Sequence, residues 1–189
     1  THEYFICGFE AYFDMWAHDP ENDGTRENEY IPISNSSLKV YDPKMYNIVE
    51  GYMGKHWLYL AEIVDEFDGH FSLFKDENET YTNKSQYLRK AALTGNKNAD
   101  LTGNSFDNSL FGNSGNNKIK PLGGFDIVDG GPGNDTAIFI GERSEYVLRN
   151  QDGRIIVDDI HYYRDGQNIL INMEKIKFSD NILNVIDIK

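Results

Sequence analysis

Residues 101–137 read LTGNSFDNS LFGNSGNNK IKPLGGFDI VDGGPGNDT A when broken every nine positions. An aliphatic residue opens each block, Leu101, Leu110, Ile119 and Val128, and the small Ala137 opens the next. Between them lie turn-forming sets at 103–108, 112–117, 121–126 and 130–135, and a poorer copy begins at Thr94. A fixed period marks a stacked array, in which one unit buries its apolar residue only against its neighbours. The period predicts short parallel strands, with those four aliphatic side chains pointing into one narrow core.

The turns have a chemistry of their own. Residues 130–138, GGPGNDTAI, fit the nonapeptide G-G-x-G-x-D-x-U-x of calcium-binding β-helical repeats in all but the size of Ala137, where U is a large aliphatic residue. Glycines permit positive φ and tight curvature, which turns several carbonyl oxygens toward one point. The aspartate adds a hard anionic oxygen. Calcium takes six to eight oxygen ligands in a flexible shell, which stacked turns supply from carbonyls and carboxylates together. The aspartate slot holds Asp126 and Asp135, but Asn108 and Asn117 in two other copies and Ala99 in the first. A neutral amide still offers one oxygen, at a loss of charge, so one or two calcium sites are expected. The plain alternative is a metal-free solenoid with asparagine ladders along its turns.

This repeat resembles the repeats-in-toxin β-roll at the carboxyl end of serralysin-type proteases, lipases and haemolysins. Residues 136–185 resemble the segment that follows the roll, through Phe139, Gly141, Tyr146, Asp165-Gly166, Leu170, Glu174, Phe178 and Asp180. Together these cover about half of the chain. In that family two nonapeptides make one coil, so the resemblance implies calcium between loops eighteen residues apart. One set is then Gly112, Ser114 and Asn117 with Gly131, Gly133 and Asp135. The other is Gly103, Ser105 and Asn108 with Gly124 and Asp126. The resemblance also implies a secreted, extracellular bacterial protein.

Composition agrees with a cation as partner. The 18 basic residues face 31 acidic ones, for a net charge of -13, which repels nucleic acid and anionic membrane surfaces. The single cysteine, Cys7, excludes an intramolecular disulfide and reads as a small buried apolar residue. No stretch is apolar enough to span a membrane, and Thr1 opens the chain without a basic-then-apolar leader, which suggests a mature product or a fragment.

Upstream of the repeats the texture is helical. Phe5, Phe9, Tyr12, Phe13 and Trp16 recur at helical spacing over 3–16, and a loop is expected over 17–32. Asp42 caps a second helix with Pro43 in its first turn, Met45, Ile48, Val49 and Tyr52 on one face, and Gly54 as its stop. His2-Glu3 starts like the zinc-protease motif H-E-x-x-H, but Ile6 stands where the second histidine is required. Residues 3–9, EYFICGF, with Leu38 and 42–49, DPKMYNIV, resemble the last part of an anthrax-lethal-factor-type metallopeptidase domain. That resemblance implies Glu3 as the third ligand of a catalytic Zn2+, with the histidine helix upstream, and a protein or peptide substrate for the full-length protein. A carboxylate at a helix start is equally favourable with no metal at all. The run Asp65, Glu66, Asp68 reads as solvated surface, with a further calcium as its other use.

The expected fold is α+β. A helical remnant of a metallopeptidase-like domain spans 1–56, a connection 57–93, a calcium-binding β-roll 94–137 and an antiparallel β cap 138–189. The cap includes strands over 136–140, 146–149 and 154–158 with a hairpin turn at Gln151-Asp152-Gly153, then Ile169, Leu170, Met173, Ile176, Phe178, Ile182 and Leu183 closing the array. The expected function is a calcium-binding module at the carboxyl end of a secreted zinc metallopeptidase, not competent for catalysis as it stands. An extracellular adhesion or polysaccharide-binding module on a calcium-stiffened stalk is the other reading, and an H-E-x-x-H upstream of Thr1 would discriminate the two.

Overall fold

The structure is a computed structural model that describes residues 2–13, 30–32, 34–53, 60–74, 85–161 and 163–188. The chain divides into two compact units, Thr1–Leu58 with Glu77–Tyr87, and Tyr59–Asp76 with Leu88–Lys189. Its described elements are three α-helices and two mixed sheets whose strands run mostly parallel, an α+β chain. No described helix is long and apolar enough to cross a membrane.

The first unit contains α1 (His2–Tyr12), α2 (Asn35–Tyr41) and α3 (Pro43–Met53). The short α2 has no counterpart in the sequence expectations; Ser34 starts it through a reciprocal cap with Ser37, each side chain accepting the other's backbone N–H. Asp42 caps α3 as expected, its Oδ1 accepting the Met45 N–H at 3.0 Å. The hydroxyls of Tyr4 and Tyr30 also donate to its other oxygen. Burial works against this carboxylate, but those three donors hold it below its ordinary pKa.

The buried faces differ from the periodic reading. Cys7, Ala11 and Tyr12 of α1 are buried, whereas Phe5 is exposed and Trp16 lies outside the described residues. On α3, Met45, Tyr46 and Val49 pack against Leu38, while Ile48 and Tyr52 face out. An apolar pattern broad enough for two faces does not say which one a neighbour covers. The neighbour decides here: a Cβ on Gly8 would lie 2.2 Å from Met45 Cγ, so α1 turns its small residue toward α3.

In the second unit successive strands alternate between two sheets. The even ones, β2 (His70–Ser72), β4 (Asp100–Thr102), β6 (Lys118–Lys120) and β8 (Thr136–Ile138), form one; β1 (Leu60–Ile63), β3 (Lys90–Leu93), β5 (Ser109–Phe111) and β7 (Phe125–Asp129) form the other. Leu101 pairs with Ile119, Ile119 with Ala137, and Leu110 with Val128, a repeat of eighteen residues. All five are fully buried, as the period of nine requires. Residues 60–63, 70–72 and 90–93, expected to be connection, extend both sheets by one parallel strand or more. Strands of three or four residues with mixed acids carry almost no periodic signal of their own.

After β8 the chain makes the hairpin β9 (Tyr146–Gln151) and β10 (Arg154–Asp159), antiparallel about Asp152 and Gly153, both at positive φ. The next strands depart from the expected antiparallel cap. β11 (Gln167–Ile171) lies parallel to β7, and β12 (Lys175–Lys177) parallel to β8. Only the pairings of β10 with β9 and β11, and of β12 with β13 (Ile182–Asn184), are antiparallel among the described strands. Leu170, Met173, Ile176 and Phe178 are buried in the same core, whereas Ile182 is exposed.

The core is one side chain thick, so a cavity has little room to collapse. Ile119→Ala is expected to cost about 2–5 kcal/mol and Ile127→Ala, on the exposed face of β7, under about 1 kcal/mol. Urea unfolding at fixed calcium checks the pair, and equal costs would reject the inward register.

Candidate metal site in the stacked loops

The loops between strands stack in two columns. In one, 94–99, 112–117 and 130–135 lie over one another; in the other, 103–108 lies over 121–126. Contact between coils is backbone to backbone: the Gly112 N–H donates to Asp129 O at 2.8 Å and the Gly103 N–H to Lys120 O at 2.9 Å. A Cβ on Gly133 would lie 2.4 Å from Gly115 O, and one on Gly112 would lie 2.2 Å from Gly130 O. Any larger residue would push the loops apart. The second loop position shows the same demand through φ, which is +76° at Gly131 but +70° at Leu122, a strained choice for a residue with a Cβ.

The aspartate slot forms a rung between coils. Asn117 N–H donates to Asp135 Oδ1 at 2.8 Å, and Asn108 N–H to Asp126 Oδ1 at 2.7 Å. The two asparagines are spent within the protein. Asn117 accepts from the Asn113 N–H and donates to Ala99 O; Asn108 accepts from the Asn104 N–H and donates to Asn104 Oδ1. The two aspartates are not. Asp126 and Asp135 are fully buried, and Oδ2 of each has no hydrogen-bond partner.

No lysine, arginine or histidine among the described residues pairs with either carboxylate. Burial pushes the pKa of Asp126 up to about 8; Asp107 and Asp165 push the same way, against the Asn108 N–H. Burial likewise pushes Asp135 up to about 6, aided by Glu174 and Asp129 and opposed by the Asn117 N–H. A buried acid with a bare oxygen and no counter-charge is costly unless a proton or a cation compensates it.

The sequence-predicted residues fall as follows. Gly112 and Asn117 face the loop of Gly131, Gly133 and Asp135, and Gly103 and Asn108 face that of Gly124 and Asp126. Ser114 is exposed, with Oγ donating to Gly95 O at 3.1 Å, and Ser105 is exposed. The acids Asp65, Glu66 and Asp68 are exposed too. The side chain of Glu3 lies outside the described residues. No group of three or more His, Cys, Asp or Glu side chains that could hold a metal occurs among the described residues. The bare oxygens in these columns are Oδ2 of Asp126 and of Asp135, hard donors of the kind that calcium takes.

Sequence reasoning named Glu174 only in the segment after the roll and gave it no place in the site; its Oε2 accepts the Asp135 N–H at 2.6 Å and continues the rung by one coil. Missed outright were Asn104 and Asn113, whose Oδ1 atoms accept the N–H two residues on and shape each turn. The repeated Gly-Asn-Ser at 103–105 and 112–114 was the available signal. The chain matches no protein-family model and no curated protein sequence.

Without metal, folded Asp126 and Asp135 retain protons that the unfolded chain, with carboxyls near 3.8, has released. The unfolded state then binds fewer protons, so metal-free stability falls as pH rises from about 4 through 6 and on toward 8. Calcium competes with those protons; in saturating calcium both carboxyls are ionised folded and unfolded alike, so stability should be level over the same window. Thermal melting in calcium-free and calcium-saturated buffers across this range checks the fall in the first against the level line in the second. The same slope in both would reject the assignment.

Proposed function

We propose that the second unit is a short parallel β-roll that binds calcium, with the strands after β8 as its cap. We further propose that the chain is the carboxyl-terminal part of a secreted bacterial zinc metallopeptidase. The observation that carries the calcium reading is the pair of buried carboxylates, Asp126 and Asp135, each with one bare oxygen in a column of stacked loops. The residues fit the ion, since the bare donors are oxygens and no basic side chain among the described residues pairs with either carboxylate. Asp135 would anchor one ion and Asp126 the other.

The ion would supply charge compensation. Two buried acids in a chain of net charge -13 oppose folding until a cation satisfies them, and binding to the folded state alone then becomes folding free energy. A chain with one cysteine has no disulfide to take that part. Low calcium inside the exporting cell would leave the roll loose, and calcium outside would fold it. The peptidase part of the reading rests on the resemblance of residues 3–9, Leu38 and 42–49, with Glu3 as the zinc ligand.

Calcium at roughly a hundred times Kd is expected to stabilise the protein by about 2.7 kcal/mol per independent site. Asp135→Asn keeps an oxygen for the Asn117 N–H and removes the buried charge, so it should leave metal-free stability unchanged or higher while losing most of one site's calcium gain. Calcium titration followed by circular dichroism and melting tests this, with the exposed turn variant Asp152→Asn as control. No calcium-dependent gain in the wild type would end the reading.

A further inference from the structure

Two more buried oxygens lack a partner, and both belong to a repeat that the hairpin hides. After the β9–β10 hairpin the chain returns through 163–168, Tyr-Arg-Asp-Gly-Gln-Asn. In β11, which follows, Asn168 stands opposite Asp126 and Leu170 opposite Val128. Gly166 takes the place that Gly124 and Gly133 take in their loops; its φ is +58°, and a Cβ there would lie 2.0 Å from Gly124 O. Leu170 is buried where the earlier repeats bury their aliphatic residue. Residues 163–171 are thus one more nonapeptide, stacked on 121–129, with Asn168 in the aspartate slot.

Each side chain here has one satisfied end and one bare one. Asp165 accepts the Ile140 N–H at 2.7 Å and the Tyr146 hydroxyl at 2.5 Å on Oδ2, leaving Oδ1 without a partner. Asn168 donates through Nδ2 to Asp165 O at 2.7 Å, which fixes the amide and leaves its Oδ1 unpaired. Asp126 contributes the third bare oxygen. All three residues are fully buried. The basic residue of this loop, Arg164, is committed elsewhere, to Asp159 at 2.8 Å and Glu145 at 2.6 Å. On the other side of Asp126, in the 103–108 loop, the Asn108 amide is spent at both ends and Asp107 Oδ1 accepts the Phe125 N–H at 2.8 Å.

We propose that the loops 121–126 and 163–168 hold a calcium ion between them, with Asp126, Asp165 and Asn168 as its side-chain ligands. The inference rests on the calcium reading of the stack and sharpens it: the ion at Asp126 sits on the side of 163–168, not of 103–108. One cation satisfies three oxygens that are otherwise left unpaired in the interior. A cavity of about 580 Å³ lined by Ser105, Asp107, Gly124, Gly166 and Gln167 lies beside these two loops. Because Asp165 also receives Ile140 and Tyr146, which flank the start of the excursion, the ion fastens the hairpin to the stack.

Calcium titration of the full chain by isothermal calorimetry tests the site. Asp165→Asn should remove one class of binding, Asp135→Asn a different class, and the exposed turn variant Asp152→Asn none. Asn168→Asp adds a charge to the ligand set and should tighten one class about tenfold, or about 1.4 kcal/mol; it decides the matter if Asp165→Asn fails to fold. If Asp135→Asn removes binding while Asp165→Asn and Asn168→Asp leave the isotherm unchanged, this site is overturned and the calcium-binding stack stands. A wild type that binds no calcium overturns both.

Discussion

The rung from a backbone N–H to a carboxylate one coil away is the constraint on which the second unit depends. It recurs from Asn108 to Asp126, from Asn117 to Asp135, and from Asp135 to Glu174. Each rung sets the spacing of two coils and holds an acid in place by one oxygen. The same rung draws the carboxylate out of water, so the second oxygen of Asp126 and of Asp135 becomes the expensive atom of the fold. Packing adds little latitude, because Leu101, Ile119 and Ala137 of one sheet and Leu110 and Val128 of the other are all fully buried between the two.

That arrangement explains why so acidic a chain can be read as a folded cation-binding unit. Internal compensation exists elsewhere in it: Arg164 bridges Asp159 and Glu145, and Arg149 pairs with Asp158. The loop columns give Asp126 and Asp135 no such partner among the described residues. Their asparagines ladder from coil to coil, with the Asn116 N–H on Asn98 and the Asn134 N–H on Asn116, which is neutral and self-sufficient. The charged slots alone call for an ion. The helical unit shows the opposite solution to a partly buried acid, since Asp42 is surrounded by donors from Tyr4, Tyr30 and the Met45 backbone.

The period of nine was legible because it is local: a residue, its turn and the next aliphatic lie within one window, and the five inward residues follow from it. The acids of the candidate site were legible for the same reason, at Asp126 and Asp135. The faces of α1 and α3 were not, since Phe5, Ile48 and Tyr52 share the helical spacing of the buried residues and only the neighbouring helix distinguishes them.

By itself, then, the sequence determined the repeat, its inward side chains, the turn chemistry and the hairpin at Asp152-Gly153. Tertiary structure alone decided that β1, β2 and β3 join the sheets, that β11 and β12 return parallel to β7 and β8, and that Asp165, Asn168 and Glu174 lie against the aspartate column. The physical reason is register. A strand of three to five residues carries its inside and outside in its own alternation, but which strand it will lie beside, after an excursion as long as the hairpin, is set only when the backbone groups of both are paired.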